Sequence, residues 1–235
     1  MIEVVLRSLL VGLLAACIVG PIGAAMGLAM ARRRIPLKPL LDAVIALPLV
    51  LPPVAVGVLL IWALGRRTML GDALAQLGVS FVGTMPGVVL CACIMGSPLM
   101  IRSAEAAFAV VPRETEEAAR SLGASRVRTL GAVTLPLAWR GIVSGFVLVF
   151  ARALGEFGAT MVLVGYRPGV TETLALGIYF AYEGFEDETL LVLMAASIAL
   201  CLLATVSARL LERGLPPLLR PGLLPKSPRF APQTR

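Results

Sequence analysis

Residues 8–31 read SLLVGLLAACIVGPIGAAMGLAMA, a run of 24 residues without a charged side chain. Three further uncharged windows follow at residues 43–65, 73–101 and 189–208, and they are 23, 29 and 20 residues long. A helix rises about 1.5 Å per residue, so each window is long enough to cross a hydrocarbon core of about 30 Å. These windows therefore predict membrane-spanning helices.

A fifth window, Gly141 to Tyr166, is apolar except for Arg152 and Glu156. The chain is 58% hydrophobic and 15% charged, whereas soluble domains have about 45–50% apolar and about 25% charged residues. The sequence therefore predicts an all-α, polytopic membrane helix bundle. We place its transmembrane helices near 8–31, 41–64, 79–101, 141–164 and 189–208.

The four cysteines lie inside apolar windows, and the chain has no histidine. Cys91 and Cys93 lack partner ligands, so we predict no metal site. The stretch Leu14–Cys17 after Arg7 resembles a bacterial lipoprotein signal. Because the apolar run continues to Met30, we expect a first membrane helix there instead.

Prolines and glycines interrupt the expected spans. Prolines are tolerated in membrane helices but kink them. We therefore expect helix hinges at Pro21, Pro48, Pro52 and Pro53. The pairs Gly23-x-x-x-Gly27 and Gly141-x-x-x-Gly145 would let helices approach closely.

The distribution of Lys and Arg predicts the orientation. Residues 32–38, 102–140 and 209–235 hold 16 of the 21 basic residues, and the segments on the opposite side hold four. Basic residues concentrate in cytoplasmic loops, so we expect the N-terminus outside and the C-terminus in the cytoplasm. The net charge of +7 then requires no nucleic-acid partner, although it favours contact with anionic membrane lipid.

Two segments outside the spans have distinct compositions. The outer segment 165–188 contains an apolar stretch, Thr171 to Tyr182, and we expect a short partial or re-entrant helix there. We treat residues 1–211 as the transmembrane domain. Residues 212–235 form a proline-rich basic tail that we expect to be disordered.

Residues 114–136 read ETEEAARSLGASRVRTLGAVTLP and predict two short helices in the cytoplasmic loop 102–140. Three glutamates at the start favour a helix N-terminus. Gly123 suits a C-terminal cap, which requires positive φ, and Ser125 can cap the second helix. We expect Leu135-Pro136 to end that helix before the fourth span.

This loop resembles the signature loop of ABC importer permeases, which reads Glu-Ala-Ala, three residues, Gly, nine residues and Ile-x-Leu-Pro. The matching positions are Glu117, Ala118, Ala119, Gly123, Val133, Leu135 and Pro136, with Val133 in place of the usual Ile. In that family the loop is a coupling helix that sits in a groove of a cytoplasmic ATPase. The small side chain of Ala124 adds to a surface that would permit close docking.

Three further stretches narrow the resemblance. ARALGEFGA at 151–159 resembles molybdate and sulfate permeases, and LPLVLPPV at 47–54 and PGVTETL at 168–174 resemble the molybdate group. The resemblance implies a type I ABC importer permease fold and the import of molybdate. Sulfate or thiosulfate and tungstate remain alternatives, because molybdate, tungstate and sulfate are tetrahedral oxyanions.

Arg152 and Glu156 are four residues apart, so they can pair along one helix face. Charges at membrane depth normally face a bundle interior or a water-filled path. With Gly155 and Gly158, they either line a translocation path or form an ion pair that braces helix packing.

The resemblance also implies the partners. These are a second copy of the chain, two ABC ATPase subunits that bind ATP and Mg, and an extracytoplasmic oxyanion-binding protein, all at the bacterial cytoplasmic membrane. The chain has no Gly-x-x-x-x-Gly-Lys-Ser/Thr phosphate loop, so we expect neither a bound cofactor nor an enzyme. An ion-coupled secondary transporter is the alternative class, but it would need inverted repeats and more intramembrane carboxylates than Glu156.

Overall fold

The computed structural model of the chain describes residues 2–33 and 35–213, with side-chain surroundings up to Ser207. These residues form helices and turns, and no β-strand occurs among them. In chain order the helices are α1 (Ile2–Arg32), α2 (Lys38–Val50), α3 (Pro53–Leu64), α4 (Met69–Gln76), α5 (Met85–Val110), α6 (Arg113–Ser121), α7 (Arg126–Thr129), a π-helical turn (Leu130–Thr134), α8 (Leu135–Leu154), α9 (Gly158–Leu163), α10 (Leu174–Glu183) and α11 (Asp187–Arg213). The expected disordered tail lies, from residue 214 onward, outside the described residues.

Among the residues that the structure describes, four helical stretches are long and apolar enough to cross a membrane: α1, α5, the continuous run Arg126–Leu154 and α11. The bent pair α2 and α3 supplies a fifth span if it crosses as one broken helix. The prediction of an all-α membrane bundle with about five spans is therefore confirmed.

Helix α5 packs against both α1 and α8, which also pack against each other. Small residues on both neighbours allow this close approach. A Cβ atom added at Gly27 of α1 would lie 2.7 Å from Cβ of Ala104, and one added at Gly145 of α8 would lie 2.6 Å from Sδ of Met100. Both glycine pairs of the sequence analysis thus serve contacts with α5.

The second span is broken at its proline pair. Leu51 has an extended backbone, Pro52 precedes α3, and Pro53 is its first residue. The axes of α2 and α3 differ by 106°, because proline donates no backbone hydrogen bond and its ring excludes a continuing helix. Pro21 and Pro48 lie inside α1 and α2, and the hinges expected at these two residues stay predictions.

Two other spans have bounds that differ from the expected ones. Helix α5 continues nine residues past 101, to Val110, because Arg102 and Glu105 pair with each other at 2.9 Å and also with the start of α2. The fourth span begins earlier than 141 and stops at Leu154, and α9 follows after a break. The charged residues of α5 therefore do not end the helix, because they form ion pairs within the fold.

Candidate functional site

Helix α6 ends in a Schellman motif, a hydrogen-bonded C-terminal cap. Gly123 has φ of +88°, its N–H donates to the carbonyl of Arg120 at 2.9 Å, and Ala124 N–H donates to the carbonyl of Ala119 at 3.1 Å. This pairing is the one that a left-handed residue after a helix produces. Ser125 Oγ then accepts from Arg128 N–H at 3.3 Å and caps α7. The predicted caps are confirmed.

The prediction for Leu135-Pro136 is wrong, because this pair begins α8 instead of ending a helix. The chain is helical from Arg126 to Leu154, and a π-helical turn at Leu130–Thr134 precedes the proline. Leu135 N–H donates to the carbonyl of Leu130, five residues back. Proline can neither donate to the carbonyl four residues before it nor fit beside it, and the wider turn accommodates this loss.

The charged residue that holds this loop in place is Glu116. Its Oε1 accepts from Arg32 Nη2 and from Thr134 Oγ1, each at 2.8 Å. Arg32 Nη2 also donates to the carbonyl of Val111 at 3.1 Å. One buried carboxylate therefore connects the end of α1, helix α6 and the π-helical turn.

The signature glutamate of the family pattern, Glu117, is exposed, and so are Ala118 and Gly123. Two larger apolar side chains lie at the same tip: Leu122 is 90% exposed and Val127 is 81% exposed. The sequence analysis did not single out either residue. An apolar tip on a capped, anchored helix pair is suited to docking against a protein partner.

The intramembrane pair forms, although not along one helix. Arg152 Nη1 lies 2.7 Å from Glu156 Oε2, but Arg152 is in α8 and Glu156 is in the break that follows it. The other oxygen, Oε1, accepts from Ala159 N–H at 2.9 Å and so caps the first turn of α9. The side chain of Glu156 is 3% exposed. The pair therefore joins two helices across the break.

Helix α9 packs tightly against α3. A Cβ atom added at Gly158 would lie 2.8 Å from Cβ of Pro53, and one added at Gly57 would lie 2.8 Å from the carbonyl oxygen of Ala159. Gly155 has open space around it. The Glu156 cap consequently fixes α9 beside the proline hinge of the second span.

Segment 165–188 contains the short helix α10, which coincides with most of the expected apolar stretch and ends one residue after it, at Glu183. Thr173 Oγ1 accepts from Leu176 N–H and caps this helix. Tyr166 stacks on Phe180 with ring centroids 4.0 Å apart, and its hydroxyl donates to Glu172 at 3.2 Å. Burial and the neighbouring Glu172 carboxylate raise the pKa of Tyr166, so the phenol remains a donor. Whether the segment enters the membrane stays a prediction.

Residues 21–216 match the family model described as "Binding-protein-dependent transport system inner membrane component". The chain belongs to this family. The Escherichia coli K12 relative, "Molybdenum transport system permease protein ModB", is 45% identical over 178 residues, which are 75% of this chain and 78% of the relative. The protein with the same title from Mycobacterium tuberculosis H37Rv is 41% identical over 194 residues, which are 83% of this chain and 70% of the relative.

The chain also has the fold of solved ABC transporter subunits. A chain of the inward-facing MetNI methionine ABC transporter superposes with a TM-score of 0.72 at 17% identity, covering 91% of this chain and 94% of that one. At this identity the likeness concerns the fold alone. It confirms the predicted importer permease fold for this inner membrane component.

Proposed function

We propose that the chain is the permease subunit of an ATP-driven importer of molybdate. The observation that carries the coupling role is the segment around α6, which presents an exposed apolar tip and is anchored through Glu116 to two membrane-spanning helices. The titles of the E. coli and M. tuberculosis relatives support molybdate as the cargo.

The proposed assembly contains two copies of this chain, two cytoplasmic ATPase subunits and an extracytoplasmic binding protein. One copy has too few spans to enclose a gated path, so the path lies between two copies. The 16-to-4 distribution of basic residues supports a cytoplasmic α6 and an outer α10. The binding protein then docks near residues 65–78 and 165–188.

The contacts suggest how ATPase motion reaches the membrane. Displacement of α6 acts on α1 through the Arg32–Glu116 ion pair and on α8 through Thr134 and the continuous helix that follows. Rigid elements joined in this way move as bodies, and the break at Pro52 absorbs a change of angle. The Arg152–Glu156 pair acts as a brace in this scheme, because both carboxylate oxygens are already engaged.

Transport in proteoliposomes tests the cargo. The chain is reconstituted with its ATPase and binding protein, and ATP-dependent uptake of labelled molybdate is measured against competing tungstate and sulfate. We expect molybdate uptake that sulfate inhibits weakly. Strong sulfate uptake without molybdate uptake would transfer the assignment to the sulfate alternative. Uptake driven by an ion gradient without ATP would replace the importer class by a secondary transporter.

Association with the ATPase tests the coupling segment. Leu122→Asp inserts an unpaired charge at an apolar contact, and Glu117→Lys reverses the charge beside it. Each variant should reduce co-purification of the ATPase at least tenfold. Leu77→Asp is the matched control, since Leu77 is also exposed but lies in the outer turn after α4. Equal co-purification of all three variants would disprove the docking role.

A further inference from the structure

A cavity of about 600 Å³ lies between the end of α1, helix α6 and the residues that begin the long helix at Arg126. It is open on one side. Its location follows from the same contacts that anchor α6, because Arg32, Glu116 and Thr134 all line it. The cavity shares Glu117 with the exposed tip, whereas Leu122 does not line it.

The charge of the lining is strongly unbalanced. Seven ionisable side chains contribute, and these are Arg32, Arg33, Arg113, Arg120, Arg126, Glu116 and Glu117. Arg32 is neutralised by Glu116 at 2.8 Å, and Arg120 lies 3.8 Å from the same carboxylate. Arg33, Arg113 and Arg126 have no ion-pair partner among the residues that the structure describes. Five cations and two anions leave an excess of three positive charges.

Like charges placed close together repel one another, so this excess favours the binding of a multiply charged anion. Guanidinium groups bind phosphate oxygens in bidentate fashion, and several converging arginines select phosphate over a single carboxylate. Basic pockets beside cytoplasmic helix ends recognise phosphate head groups in this manner. The composition of the lining thus indicates the chemical class of the ligand.

Part of the cavity wall is apolar. Ala25, Leu28 and Ala29 lie on one face of α1 and line the cavity beside the arginines. The exposed surface of α1 continues toward the membrane interior with Ile22 and Ile18, which are 58% and 46% exposed. A charged chamber next to an apolar helix surface matches a head group followed by acyl chains.

We infer that this cavity binds a phosphate-class anion, and that its apolar wall favours the phosphate head group of an anionic phospholipid over free phosphate. The ligand would bridge α1 and α6 beside the Arg32–Glu116 pair, so its occupancy would influence how firmly α6 is held. This inference goes beyond the proposed transport function and depends on neither the cargo nor the ATPase.

Ligand binding by the purified full-length permease tests it. The protein is placed in nanodiscs of phosphatidylcholine with and without 20 mol% phosphatidylglycerol, and lipid retained after release into detergent is counted by native mass spectrometry. In a second arm, inorganic phosphate is titrated into phosphatidylcholine nanodiscs and followed by phosphorus NMR. Phosphatidylglycerol retention assigns the site to lipid, and saturable phosphate binding alone assigns it to the soluble anion.

The cavity variant is Arg113→Gln with Arg126→Gln, and the charge-matched control is Arg66→Gln with Arg128→Gln. Arg128 is exposed and close to Arg126 in sequence but does not line the cavity. We expect about twenty-five-fold weaker binding for the cavity variant, taking each arginine at about fivefold, and less than twofold loss for the control. Absence of binding in both arms, or equal loss in both variants, would overturn the inference.

Discussion

Glu116 provides the sharpest test of how the coupling segment is held. Replacing it with alanine removes two contacts of 2.8 Å and leaves Arg32 with the Val111 carbonyl as its remaining hydrogen-bond acceptor. Removal of one partner from a buried ion pair costs about 3–5 kcal/mol. Because the side chains of Arg32 and Glu116 are still 17% and 11% exposed, we expect the lower end, about 3 kcal/mol.

For a chain of this size, 1 kcal/mol corresponds to about 2–4 °C in Tm. Glu116→Ala should therefore lower the Tm of the detergent-solubilised protein by about 6–12 °C. Glu116→Gln retains hydrogen bonding without charge and should show about half of this loss. Glu117→Ala is the control, because Glu117 is the neighbour of Glu116 but has an exposed side chain. The Tm of this variant should stay within about 2 °C of that of the unchanged protein.

A double-mutant cycle with Arg32→Gln separates the pair from other effects. Residues in direct contact show coupling energies of about 0.5–3 kcal/mol, and we expect about 2 kcal/mol here. The reasoning fails if Glu116→Ala and Glu117→Ala have the same Tm. It also fails if the two single losses simply add in the Arg32→Gln, Glu116→Ala double variant.

Three other substitutions test separate features. Gly123→Ala should lower the free energy of unfolding by about 1–2 kcal/mol, because the backbone has positive φ although the added Cβ meets open space. Gly123→Asn should lower it less, and equal losses in thermal unfolding would point to a different cause. Gly158→Val should lower Tm by several degrees through a clash with Pro53, and a neutral result would contradict the α3–α9 packing. Arg152→Ala should impair folding more than the Arg152→Ala, Glu156→Ala double variant does. The single change leaves the Glu156 carboxylate, which is 3% exposed, without its cation. A double variant that folds no better than the worse single variant would exclude a bracing role for the ion pair.

Local chemistry explains what the sequence predicted well. The uncharged windows, Gly123 and Ser125 all depend on the residue itself or on neighbours within one helical turn. A membrane span needs only length and apolarity, and a left-handed cap needs only a glycine at the right distance from a helix. These features appear in the structure as expected.

Long-range contacts explain the features that could not be predicted from the sequence. Glu116 and Glu117 are neighbours of identical chemistry, and distant partners determine which carboxylate is buried: Arg32, 84 residues away from Glu116, and Thr134. Likewise, the four-residue spacing of Arg152 and Glu156 predicts that both lie on one helix. The free N–H groups at the start of α9 compete for the Glu156 carboxylate. The helix is interrupted before Glu156, and this carboxylate binds both Arg152 and the N–H of Ala159.

The helix from Arg126 to Leu154 has a mechanical consequence. Its 29 residues span about 43 Å at 1.5 Å per residue, which exceeds a hydrocarbon core of about 30 Å. In the proposed orientation, the excess makes it a lever whose short arm stands in the cytoplasm and whose long arm lies in the bilayer. A tilt of about 10° moves the two ends of such a rod by about 7 Å relative to each other. The π-helical turn at Leu130–Thr134 lies in the short arm, next to the point where the proposed ATPase would push. Bending at this turn would therefore leave the arm in the membrane stiff.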